Sequence, residues 1–193
     1  MKKYFKIVSF GFLLLLCCGM IPRADDKFMT AQKISGRYFN VFYESGVDVR
    51  GLFKGLDVNP SDMLLTGKIK ETGLLPGEEL AEMLDVLFVR VCEILDMRLY
   101  SFKGTIKVCY NSEELNMIYD DLFGSDGKTR KSFYNYDFNI IYVSAENFSR
   151  DIVTHEIAHA VISHYFVISP SAKVQELLAG YAEYQLRSIP EEK

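Results

Sequence analysis

The sequence predicts an α+β fold, a small mixed or antiparallel sheet packed on helices within one domain. Three observations point there. Short β-prone runs at residues 36–43, 105–110, 132–136 and 139–144 alternate with longer stretches whose apolar residues recur at helical period. No internal repeat or low-complexity tract divides the chain. With 193 residues, it is long enough for one domain with a real core and too short for two comfortable ones.

The first residues read as a secretory signal over 1–24. Lys2, Lys3 and Lys6 give a positive start, Ile7 to Cys18 an apolar run, and Gly19 to Ala24 a small-residue exit region. The run falls short of the roughly 20 apolar residues a bilayer span needs, so no membrane span is expected after signal removal. A retained N-terminal anchor is the competing reading. Ala24 before Asp25 is one candidate cleavage point, and Gly19 with Cys17 the other. The stretch Leu15-Leu16-Cys17-Cys18 also resembles a lipoprotein signal with lipid on Cys18, although Cys17 departs from that pattern. The expectation is an exported chain, periplasmic or secreted, whose single domain is residues 25–193.

Charge excludes some partners. The whole chain has 22 basic and 26 acidic residues and a net charge of −4; without residues 1–24 it has 18 basic residues and a net charge of −8. Such a surface disfavours nucleic acid and anionic membranes. Cys92 and Cys109 are then the only thiols. An oxidising compartment permits them to pair, and two buried free thiols are the alternative. They lack C-x-x-C spacing and a neighbouring histidine, so no redox or nucleophilic role is expected.

In order along the chain, residues Gly36 to Tyr43 are aromatic and β-branched and read as a strand, ended by Ser45-Gly46. Val47 to Leu56 reads as a short helix. From Asp57 to Pro76, Asn59-Pro60, Gly67 and Gly73 mark irregular structure. Pro76 opens the longest helix: Glu78 and Glu79 suit its first turn, and Leu80, Met83, Leu84, Leu87, Val91 and Leu95 form an apolar stripe. The stripe is read as scaffold core. Thr105 to Tyr110 alternates, with Ile106 and Val108 on one face and Thr105, Lys107 and Cys109 on a more polar one. Asn111 and Glu114 form a capping box for a short helix through Leu122. A turn-rich loop at 124–128 precedes strands over Ser132 to Tyr136 and Asn139 to Ser144. Ser149 then caps a helix running to about Phe166, Ser169-Pro170-Ser171 breaks it, and Ala172 to Leu186 forms the last helix. Residues 188–193 read as a frayed tail.

The chemistry lies in His155-Glu156-Ile157-Ala158-His159, which reads H-E-x-x-H. At helical spacing the two histidines lie about 40° apart, one turn from each other, so both imidazoles reach one ion. Glu156 falls roughly 60° beyond His159, off the metal's axis but near enough to serve a water molecule. His164 lies about 180° round the helix from His155 and is read as structural or surface. A catalytic zinc wants three protein ligands with one position open. Glu176 and Glu183, two turns apart on the next helix, are the candidates for the third.

The segment Gln175-Glu176-Leu177-Leu178-Ala179-Gly180-Tyr181 resembles the N-E-G-L-A-x-Y segment that carries the third ligand in gluzincin peptidases, the thermolysin-like and aminopeptidase-like zinc enzymes. Glu176, Ala179 and Tyr181 match, while Gln175 and Leu177 replace its Asn and Gly. The resemblance covers roughly Gly104 to Leu186 and implies a zincin-like core. It implies Zn2+ held by His155, His159 and Glu176, with Glu156 as general base and later proton donor. Glu183 becomes a candidate to orient a histidine through its free ring N–H, a solvated helix glutamate being the alternative. Tyr165, Tyr181, Tyr184 and Tyr134 are candidate donors to an oxyanion, unranked by sequence. By the same resemblance, Asn139 to Ser144 presents an edge on which an extended peptide adds, unless it is a fully paired central strand.

The expected activity is therefore that of an exported zinc metallopeptidase acting on a peptide or protein substrate. The rival is a catalytically quiet metal-binding or protein-interaction domain of the cell envelope, against which an intact Glu156 argues.

Overall fold

Side-chain alternation along the strands decides which helices lie on which face of the sheet. The computed structural model describes residue 28, residues 31–57 and residues 76–188. The expected signal, the irregular stretch at 58–75 and the tail at 189–193 lie outside the described residues. The described chain runs β1 (Gln32–Ser35), β2 (Phe39–Tyr43), α1 (Val49–Leu56), α2 (Pro76–Ile94), β3 (Gly104–Cys109), α3 (Ser112–Phe123), β4 (Ser132–Asn135), β5 (Ile140–Ser144), a 3-10 turn at Ala145–Asn147, α4 (Arg150–Tyr165) and α5 (Ala172–Ser188). The strands form one mixed sheet in the order β1-β2-β3-β5-β4, parallel at β2/β3 and β3/β5 and antiparallel at both margins. With helices packed on this sheet, the fold is α+β.

Val41, Ile106, Val108, Ile141 and Val143 share one face of the sheet, and their core includes Leu84, Leu87 and Val91 of α2 and Val153, Ile157 and Val161 of α4. Burying each such side chain is worth about 1.5–3 kcal/mol. The other face is not the polar one its residues suggest. Cys109 and Tyr142 lie there under Leu115 and Ile118 of α3, in a second apolar cluster that includes Phe133. Lys107 is buried in this layer with its ammonium over the rings of Phe28 and Tyr142, 5.0 and 5.6 Å from the centroids. Cys92 belongs to the first cluster and Cys109 to the second; both are buried, and they do not pair with each other.

Local chemistry sets the boundaries. The strand expected over 36–43 is shorter, because Gly36 to Tyr38 turn back to pair β2 with β1; the Gly36 N–H donates to the Phe39 carbonyl at 2.8 Å. Buried Asp85 of α2 accepts from the N–H groups of Arg37 and Tyr38 at 2.7 and 2.8 Å. A Cβ on Gly36 would stand 3.1 Å from that carboxylate, so the turn favours glycine. At α3, Asn111 Oδ1 accepts from Glu114 N at 2.9 Å while the Glu114 carboxylate reaches back to Tyr110 N at 2.9 Å. The capping box thus closes one residue early.

One expectation with functional weight is corrected. The strand at 140–144 offers no edge, since β5 is paired on both sides, by β3 and by β4. The outer strand is β4, which packs beside α4.

Candidate metal centre

Ser149 starts α4, its Oγ accepting from Ile152 N at 3.5 Å and its carbonyl from Val153 N at 2.9 Å. The helix then passes between the sheet, α2 and α5 with most of its middle buried. His155 and His159 lie one turn apart on the side facing α5. Phe166 to Ser171 reverse the chain, so α5 runs back antiparallel and brings Glu176 opposite both histidines.

Three donor atoms converge. His155 Nε2 and His159 Nε2 are 3.2 Å apart, and the Glu176 carboxylate oxygens lie 3.4 Å from the first and 3.5 Å from the second. The 3.4 Å separation is to Oε2 and the 3.5 Å separation to Oε1, and one ligand atom from each of the three residues lies within 4.8 Å of the others. The donor set, two imidazoles and a carboxylate, is that of a catalytic zinc with a fourth position open. The three residues could hold a metal ion.

The outer contacts favour the same use of the rings. His155 Nδ1 faces Glu183 Oε2 at 3.4 Å, which suits a proton on Nδ1 and a free lone pair on Nε2. Gln175, pinned by its Nε2 donating to the Pro170 carbonyl at 2.9 Å, hydrogen-bonds the His159 ring. Burial, and after it the adjacent His155, holds His159 below the usual imidazole range, which favours the neutral form a metal binds.

Glu156 lies beside this triangle, 6% exposed. Burial raises its carboxyl to about 7, and only in part do a hydrogen bond from Ser132 and the nearby His155 oppose the rise. Ser132 Oγ, at the first position of β4, donates to Glu156 Oε1 at 2.6 Å. Ser132, His155, Glu156, His159, Gln175 and Glu176 line one cleft of about 480 Å³, with Arg130, Tyr134 and Tyr136 along its wall.

The tyrosine candidates divide on geometry. Neither Tyr165 nor Tyr181 lines the cleft. Tyr165, the last residue of α4, packs edge-on against Phe166, and Tyr181 is about 140° round α5 from Glu176. Both stand half-exposed, as does Tyr184. Tyr134 does reach the cleft; its hydroxyl donates to Asn139 Oδ1 at 3.2 Å, and burial pushes its pKa well up. His164 is remote, its Nδ1 2.8 Å from the Ala160 carbonyl and its ring edge-on to Phe102.

Sequence reasoning missed Ser132, and it treated Gln175 only as a replacement for Asn. The strand period held one clue: Ser132 and Tyr134 share a face of β4, while Phe133 points to the α3 side. No protein-family model matches the chain, and no curated protein and no solved structure matches it either.

Proposed function

We propose that the chain is a zinc-dependent metallopeptidase, exported by its N-terminal segment and related in its site to the gluzincins it resembles. The observation that carries this reading is the convergence of His155 Nε2, His159 Nε2 and the Glu176 carboxylate on one point, with a buried carboxylate beside them. Bound there, zinc would supply a Lewis acid that lowers the pKa of a water and polarises a peptide carbonyl.

The chain's own residues do the rest. Glu156, with Oε1 held by Ser132, accepts the proton that water gives up as its oxygen attacks the carbonyl carbon. It then returns that proton to the departing amine as the C–N bond breaks. Strand β4 begins at Ser132 and forms the margin of the sheet beside α4, so its outer edge is where an extended peptide would add by main-chain hydrogen bonds.

The test pairs metal with turnover. The purified chain is expected to bind one zinc and to cleave members of a broad peptide library, read by mass spectrometry. Glu156→Gln should retain the zinc and lose at least about 10²-fold in hydrolysis. Zinc binding without cleavage of any peptide by the wild type would favour a quiet metal-binding domain. Absence of zinc binding would sink both.

A further inference from the structure

Beyond the ligands, α4 and α5 meet through a ladder of polar rungs. Asp151, His155 and His159 follow one another at single-turn intervals on α4, and Arg187, Glu183 and Glu176 oppose them on α5. Glu183 has both oxygens engaged: Oε2 lies 3.4 Å from His155 Nδ1, and Oε1 accepts from Arg187 Nη2 at 2.6 Å. The same Nη2 donates to Asp151 Oδ2 at 2.7 Å, and Arg187 Nε donates to that oxygen at 3.1 Å. The guanidinium is thus tied to the first turn of α4 while it grips the carboxylate facing His155.

We propose that Arg187, anchored by Asp151, is a positioning residue for the metal centre, acting through Glu183 on the orientation and tautomer of His155. This rests on the zinc-site reading above. A ligating histidine must keep its proton on the ring nitrogen turned away from the ion, and a partner that fixes that N–H aims the other nitrogen. Glu183 has several rotatable bonds and is part-exposed, so by itself it samples other rotamers. Two hydrogen bonds from one planar donor to carboxylates on two helices remove that freedom. Arg187 is 56% exposed, which screens its charge, so its effect on the metal is geometric more than Coulombic. The sequence spacing carries the device as well: Asp151 and His155 are i, i+4 on one helix, Glu183 and Arg187 i, i+4 on the next.

A double-variant cycle on the zinc affinity of the full chain tests this, with zinc titrated against a competing chelator. Glu183→Gln should weaken zinc binding about ten- to hundredfold, and Arg187→Met up to about tenfold. The double variant should bind no worse than Glu183→Gln alone, because Arg187 acts through Glu183. Unchanged zinc affinity in Arg187→Met overturns the inference. So does a double variant in which the two losses multiply, since that marks Arg187 as a helix clamp independent of His155. Melting temperatures of the metal-free variants check folding, and Arg187→Gln replaces Arg187→Met should the latter not fold. A wild-type chain that fails to bind zinc defeats the metal-centre reading itself and this inference with it. Tight wild-type binding with an unaffected Arg187 variant defeats the inference alone.

Discussion

Glu176 and Glu156 both line the cleft of His155 and His159, and their surroundings differ. Glu176 has a 64% exposed side chain and both oxygens turned to imidazole nitrogens, as the proposed ligand role requires. Glu156 is buried and hydrogen-bonded to Ser132, which suits the proposed base. Glu176→Ala should therefore weaken zinc by more than about 10²-fold, as a ligand loss exceeds an outer-contact loss. Retention of one tightly held zinc by that variant would sink the assignment. Ser132→Ala should leave zinc affinity unchanged and slow hydrolysis, and equal loss of both would contradict a role through Glu156. The thiols make a separate prediction. Burial pushes Cys92 up to about 11, so the native state favours the protonated thiol and resists alkylation at pH 8 until the chain unfolds. Its contribution to stability is complete below the ordinary thiol range and is lost as pH rises towards 11, which alkaline melting curves would show. At this scale the clustering of His155, Glu156 and His159 was legible because one helical turn links them. Ser132 was not, for its partner is 24 residues away and reaches it only through the packing of β4 on α4.

Elements were legible where their signals are local. Pro76 with Glu78 and Glu79, Asn111 with Glu114, and Ser149 before its apolar residues each marked a helix start that the fold keeps. Strand β1 escaped notice because Gln-Lys-Ile-Ser has one apolar residue and is mostly exposed; only pairing with β2 makes it a strand. Sheet order was hidden for the same reason, since no local pattern says that β4 rather than β5 lies outermost. Lys107 and Cys109 misled because alternation reports chemistry, while the placement of α3 decides burial. The β1/β2 turn gives a stability test at this level. Asp85 satisfies two main-chain N–H groups from inside α2, so Asp85→Ala strands both and should cost about 3 kcal/mol. A urea denaturation midpoint equal to that of the wild type would show that water replaces the carboxylate without loss.

In the whole molecule, α4 and α5 are held by unequal forces. The middle of α4 is enclosed by the sheet, α2 and α5, and Val153, Ile157, Ala158, Val161 and Ile162 are fully buried. Helix α5 buries only Ala179, Ala182 and Leu186, so little apolar area keeps it in place. Its polar ties to α4 include Gln175 and the rungs at Glu176, Glu183 and Arg187. An ion shared by His155, His159 and Glu176 would cross-link the two helices. Zinc at about a hundredfold its dissociation constant should add about 2.7 kcal/mol, which for a domain of this size raises the melting temperature by roughly 5–10 °C. The gain should not be uniform. Sub-global opening follows local burial, so chelation should speed hydrogen exchange in α5 by at least about tenfold while the amides at 153–162 stay protected. A chelator that accelerates both helices equally would mean that the site supports the whole fold; one that accelerates neither would mean that α5 docks without metal.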